Sequence, residues 1–99
     1  MTEFQDAQTY YSNEINTKLA QLEIDARDYP EIWSETKNEL LVLDKEFKQL
    51  QRELQENVSQ EDVVGAIIQN YKFKLQIIDQ INEIINEQEA QKKTIRHDI

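Results

Sequence analysis

Apolar residues recur along this chain at intervals of three and four, the spacing that lines one face of an α-helix. Phe4, Ala7, Tyr11, Ile15, Leu19, Leu22 and Ala26 form the first such stripe. It predicts a helix over about 3–28, flanked by the solvated acid-first pairs Glu14 with Lys18 and Glu23 with Arg27. The pattern stops at Asp28-Tyr29-Pro30, because proline disfavours helical geometry in the residue before it and lacks an N–H for a helix interior. Pro30 is better suited to open the next helix, with Glu31 facing the positive end of its dipole. In that helix, expected over 30–56, Trp33, Leu40, Phe47 and Leu54 recur every seven residues, joined by Leu43 and Leu50. The seam resembles a coiled coil and is interrupted by Thr36 and Asn57, where the repeat would want apolar residues.

A third helix is predicted over 60–91. Ser59-Gln60-Glu61-Asp62 reads as a capping box, with Val58 and Val63 placed to act as a hydrophobic staple. Beyond it Val64, Ile67, Ile68, Tyr71, Leu75, Ile78, Ile81 and Ile85 make a broad stripe, widened by Ile77 and Ile84. A face that wide needs two partners, so this helix should lie in the groove between the other two. Gly65 costs up to about 1 kcal/mol there relative to alanine, unless a neighbouring backbone approaches closely, and close packing is the expected reason for it. Short connections then make an antiparallel up-down-up three-helix bundle with a longer third helix, spanning 1–91 as one domain. At about 1.5 Å per residue the first two helices should be roughly 35 to 40 Å long and the third about 45 to 50 Å. The polar segment 92–99 is expected to fray.

Composition narrows the function. The 99 residues carry 20 acidic and 11 basic side chains, a net charge of -9, one glycine, one proline and no cysteine. So little punctuation excludes a β-sandwich or an α/β fold. Without cysteine there are no disulfides, thiolate nucleophiles or cysteine-ligated metals. The charge disfavours nucleic acid and anionic lipid as partners. No run approaches the roughly 18 apolar residues of a membrane span, and the acidic start is unlike a secretory signal.

Candidate chemistry is sparse. His97 is the only histidine, and Thr94 stands three residues before it, so the Glu-x-x-His pair of a di-iron bundle is missing. Ser12, Ser34 and Ser59 lack a histidine to activate them. A single glycine cannot build a phosphate-cradling or EF-hand loop. The carboxylate pairs Glu35 with Glu39 and Glu83 with Glu87 read as solvated faces. Tyr71-Lys72-Phe73-Lys74 interleaves aromatic and basic residues as single-strand binders do, but on this acidic chain it reads as a core tyrosine with lysines snorkelling from the stripe's edge. No catalytic, cofactor-binding or metal-ligating residue is expected, and the chain is not expected to be an enzyme. Tyr11 and Trp33 are in register with the core, whereas Tyr10 and Phe73 lie off the main stripes and are the first candidates for partner contacts.

A set of ordered motifs goes further. Tyr10-Tyr11-Ser12-x-x-Ile15-Asn16-x-Lys18-Leu19 is followed by Leu43-Asp44-Lys45-x-Phe47 and Leu54-x-x-Asn57. Glu61-x-Val63-Val64-x-Ala66-Ile67-Ile68-x-Asn70-Tyr71-Lys72-x-Lys74-Leu75 completes the set. Together they resemble, over roughly residues 8–85, the extracytoplasmic C-terminal module of bacterial membrane-bound anti-sigma factors, the partners of extracytoplasmic-function sigma factors. Each motif alone is a generic helix pattern. The resemblance implies a helical module without catalytic residues or cofactor, on the periplasmic side of the inner membrane. It also implies that sigma binding belongs to a cytosolic segment and anchoring to a transmembrane helix, neither of which is in this sequence. The chain would then be the sensory or scaffolding end of a regulator, with helix 1 transmitting the signal. Two alternatives stand beside it. One is a structural or oligomerising helical adaptor that pairs through the Trp33, Leu40, Phe47, Leu54 seam, cytoplasmic if the chain is complete. The other, ranked last, is an enzyme with converging carboxylates in a pocket.

Overall fold

The computed structural model describes residues 2–56 and 59–97, with side chains for 3–56 and 59–94. It is a three-helix bundle of α1 (Thr2–Asp25), α2 (Pro30–Gln55) and α3 (Gln60–His97), with no strand among the described residues. Pro30 is the first residue of α2, and the Trp33 N–H donates to the Tyr29 carbonyl at 3.0 Å to start its ladder. α1 ends three residues earlier than its stripe suggests. Residues 26–28 form a turn closed by three-residue bonds from Arg27 to Ile24 and from Tyr29 to Ala26. That tightening is a common way for a helix end to satisfy its last carbonyls. Ala26 remains buried on the turn, so its place in the stripe holds although the helix has stopped.

The core is built from α1 and α3 stripe residues, with Leu22, Ile67 and Ile78 fully buried and Ile15, Tyr71 and Ile85 nearly so. Trp33, Phe47, Leu50 and Leu54 of α2 pack against that cluster. Thr36, which interrupts the seam in sequence, is 1% exposed. Its hydroxyl donates to the Ile32 carbonyl at 2.7 Å, so the polar group is satisfied within its own helix and the methyl can face the core. The seam therefore continues through a threonine.

α1 and α2 each pack along α3 and barely touch one another. Cross-helix pairs define the register. Tyr11 stacks on Tyr71 and Lys18 pairs with Asp79, so numbers rise together in α1 and α3. Phe47 meets Tyr71, Asp44 meets Lys74 and Leu43 meets Asn70, while Tyr29 meets Glu89, so α2 numbers fall as α3 numbers rise. The bundle measures 63 × 24 × 17 Å. Its length is set by the 38 residues of α3, about 57 Å at 1.5 Å each, rather than the shorter third helix expected.

Two local expectations, on Gly65 and on Ser59, are corrected. α3 itself runs on through the polar segment as far as His97. Lys92, Lys93 and Arg96 have good helix propensity, Lys92 lies 3.9 Å from Glu89, and the Thr94 hydroxyl donates to the Ala90 carbonyl at 3.0 Å. Gly65 marks no close approach, since a Cβ built on it would have no neighbour within 4 Å. Ser59 opens α3 with φ at 43°, in the left-handed region and not the extended geometry of the expected capping box. The Val58 half of the staple, like Asn57 and residues 98–99, lies outside the described residues.

Candidate functional site

On α1, Ser12, Asn16, Leu19 and Glu23 step by four, three and four and so share one flank of the helix. On α2, Trp33, Lys37, Leu40 and Asp44 step by four, three and four along one edge of the seam, with Leu41 next to Leu40. These two flanks face each other across an open groove with Tyr71 and Lys74 of α3 at its floor. One half, of about 500 Å³, is lined by Leu19, Glu23, Trp33, Lys37, Leu40, Leu41 and Asp44. The other, of about 330 Å³, is lined by Ser12, Ile15, Asn16, Phe47, Tyr71 and Lys74. Leu19, Leu40 and Asp44 line both, so the halves are continuous. The physical reason that α1 and α2 do not close on each other is on these flanks. Asn16, Glu23, Lys37 and the free oxygen of Asp44 would have to lose water if the two helices closed.

The floor holds the most unusual group in the molecule. Lys74 is 8% exposed, and its ammonium lies 2.8 Å from the Asp44 carboxylate. It also sits 4.7 Å from the centre of the Phe47 ring and 6.0 Å from that of Tyr71. The ion pair replaces one hydration contact and the two ring faces replace others, which makes burial of the charge tolerable. Tyr71 in turn stacks on Tyr11 at 5.7 Å, and Tyr10 meets Tyr11 edge-on at 5.3 Å. A row of four rings thus crosses the bundle from Tyr10 on α1 to Phe47 on α2. Next to it Asn70, 1% exposed, donates from Nδ2 to the Leu43 carbonyl at 2.9 Å, while its Oδ1 is buried without a partner among the described residues.

Of the two residues singled out as partner contacts, Tyr10 is 60% exposed at the outer end of this row. Phe73 is 44% exposed and, among the described residues, joins no ring contact. Among the described residues no ring contact joins the two. Lys72 is exposed as expected, but Lys74 does not snorkel from the stripe's edge, because it belongs to the buried face. The signal was present: Val63, Ile67, Asn70 and Lys74 step by four, three and four, a seam as regular as that of α2. Their polarity concealed it. Trp33 is half-buried at the groove, with the Lys37 ammonium 5.7 Å above its ring.

Two further clusters tie the helices to one another. Lys18 donates to Asp79 at 3.0 Å, and that hydrogen bond, helped by the carboxylate's charge, holds the lysine above its ordinary pKa. The Tyr29 hydroxyl, on the connection between α1 and α2, donates to Glu89 at 2.6 Å, and this bond pushes the phenol above its ordinary value. Lys92 lies 4.8 Å from the Tyr29 ring centre and is held above its ordinary pKa by its interaction with the tyrosine oxygen. The His97 side chain lies outside those described.

Among the described residues no three His, Cys, Asp or Glu side chains gather as a metal site would require, and no helix is long and apolar enough to cross a membrane. Fold and site together define a small three-helix bundle that exposes an amphipathic groove between two of its helices. No family model, curated protein or solved structure matches this chain.

Proposed function

We propose that this chain is a non-enzymatic regulatory module that works through protein contacts. In this reading it is the extracytoplasmic, sensory end of a membrane-anchored anti-sigma factor, folded up-down-up. The parallel register of α1 with α3 and the opposite register of α2 support that topology. The observation that carries the functional reading is the open α1/α2 groove. It leaves α1 held chiefly through α3, so an occupant of the groove acts on α1 without dismantling the main core. Helix 1 is then the element that passes the change on, as the resemblance implies. The adaptor alternative required Trp33, Leu40, Phe47 and Leu54 to pair between chains. Trp33, Phe47 and Leu54 are already packed on the core of their own chain and Leu40 is buried, which favours the regulatory reading.

The test compares sigma binding by this chain with that by a protein carrying the upstream cytosolic segment and anchor. Binding confined to the longer protein is the expected result. Tight binding of an extracytoplasmic-function sigma factor by the bundle alone would refute the division of labour. Sedimentation of the bundle should return a monomer, and a dimer abolished by substitution in the seam would revive the adaptor.

A further inference from the structure

We infer that the α1/α2 groove docks a basic, amphipathic helical segment of a partner protein. The inference rests on the reading of the chain as a protein-binding module and names the surface and the chemistry of what it binds. The shape comes first. Two helices lying side by side on a third, without closing on each other, leave the position that a fourth helix fills in a four-helix bundle, and a helix laid in a groove is a recurrent recognition mode. Apolar anchors are in place: Trp33 is half-buried, Leu19 is half-buried, and Leu41 is 52% exposed although it lines the groove.

Charge then selects the occupant. Both groove lysines are engaged, Lys74 on Asp44 and two rings, and Lys37 over the face of Trp33. The acids are not. Asp44 is half exposed with one oxygen on Lys74, leaving acceptor capacity toward the groove, and Glu23 has no ion pair among the described residues. A segment bringing ammonium or guanidinium groups satisfies these carboxylates, while an acidic one finds a single exposed cation, Lys37, because Lys74 is buried. The net charge of -9 adds long-range attraction for a cationic partner and repels a second copy of this chain.

The test is a titration of the isotope-labelled chain, followed by amide and indole NMR shifts, with a leucine/lysine amphipathic peptide of about 18 residues, roughly five helical turns. A leucine/glutamate peptide of the same pattern is the control. The expected shifts centre on Leu19, Trp33, Leu41 and Asp44, with the acidic peptide at least about tenfold weaker. Leu41→Ser and Glu23→Gln should each weaken binding about three- to tenfold with helix content unchanged, since both side chains are exposed. Equal binding of the two peptides, or variants that bind like the parent, would overturn the inference. So would shifts centred on Tyr10 or Phe73, although these would leave a protein-binding module standing. Self-association that Leu41→Ser abolishes would assign the groove to a second copy instead. The sigma-binding comparison above decides the wider reading independently.

Discussion

Replacing Gly65 by alanine separates two accounts of the one glycine in this protein. If another backbone packed against it, a methyl group would force the helices apart. In the structure it is exposed within α3, and a Cβ placed there meets nothing within 4 Å. Its φ is not positive, so alanine takes up the same backbone without strain. The substitution then restores helix propensity, about 0.8 to 1 kcal/mol in an exposed helix interior. Much of that gain arises because the unfolded chain loses freedom it would otherwise give up on folding. Gly65 lies within two turns of the helix start, where fraying dilutes the effect, so a stabilisation of about 0.5 to 1 kcal/mol is expected. For a domain of this size that corresponds to a rise in Tm of roughly 2 to 8 °C. Urea unfolding followed by circular dichroism should show a higher midpoint at constant slope. A neutral or lower midpoint would mean that something does approach Gly65, and the packing of α3's first turns described above would be wrong.

The buried pair on the groove floor should respond asymmetrically. Asp44→Ala leaves the Lys74 ammonium buried and uncompensated, costing about 1 to 2 kcal/mol once the exposure of Asp44 is allowed for, whereas Lys74→Met leaves a carboxylate that water reaches and should cost less than about 1 kcal/mol. Equal costs in urea unfolding would refute the burial argument. Ile78→Ala removes a fully buried side chain between α3 and its partners and should cost about 2 to 5 kcal/mol, so a loss under about 1 kcal/mol would show that the core is not packed there. Alkaline pH tests two of the polar links between the helices. Lys18 and Tyr29 have folded pKa values raised above their unfolded ones, so their bonds to Asp79 and Glu89 contribute fully below about pH 10 and are lost as pH rises through the folded values. Stability should therefore decline above that point, and Tyr29→Phe should remove part of the decline; an unchanged profile would count against the Tyr29 to Glu89 bond.

Helix content and helix order could be read from the chain because they depend on local periodicity and on what proline does to the backbone around it. The stripe of α1 and the seam of α2 reappear as buried faces almost residue for residue. What misled was polarity. Lys74 reads in the sequence as snorkelling from the stripe's edge and Asn70 gives no apolar signal, because such side chains rarely lose water; only their neighbours reveal why both do so here. Leu43 offers a carbonyl, Asp44 a carboxylate, and Phe47 and Tyr71 their ring faces. Gly65 misled in the opposite sense, since a costly residue suggested a close contact that the packing does not contain.

The candidate site was hardly legible at all. Tyr10 and Phe73 stood out for lying off the stripes, a property each has alone, whereas a groove is a relation between two helices. Its walls repeat every three or four residues in sequence, but they become a site only because α1 and α2 both settle on α3 and keep their polar flanks apart. The sequence by itself determined the three helices, the place where the first gives way to the second, and the residues that make most of the core, because burial of apolar stripes depends on spacing within one helix. The tertiary structure alone decided that a lysine and an asparagine are buried and that a groove remains open. Those outcomes depend on which polar groups find partners across helices, and spacing along one chain segment carries no record of that.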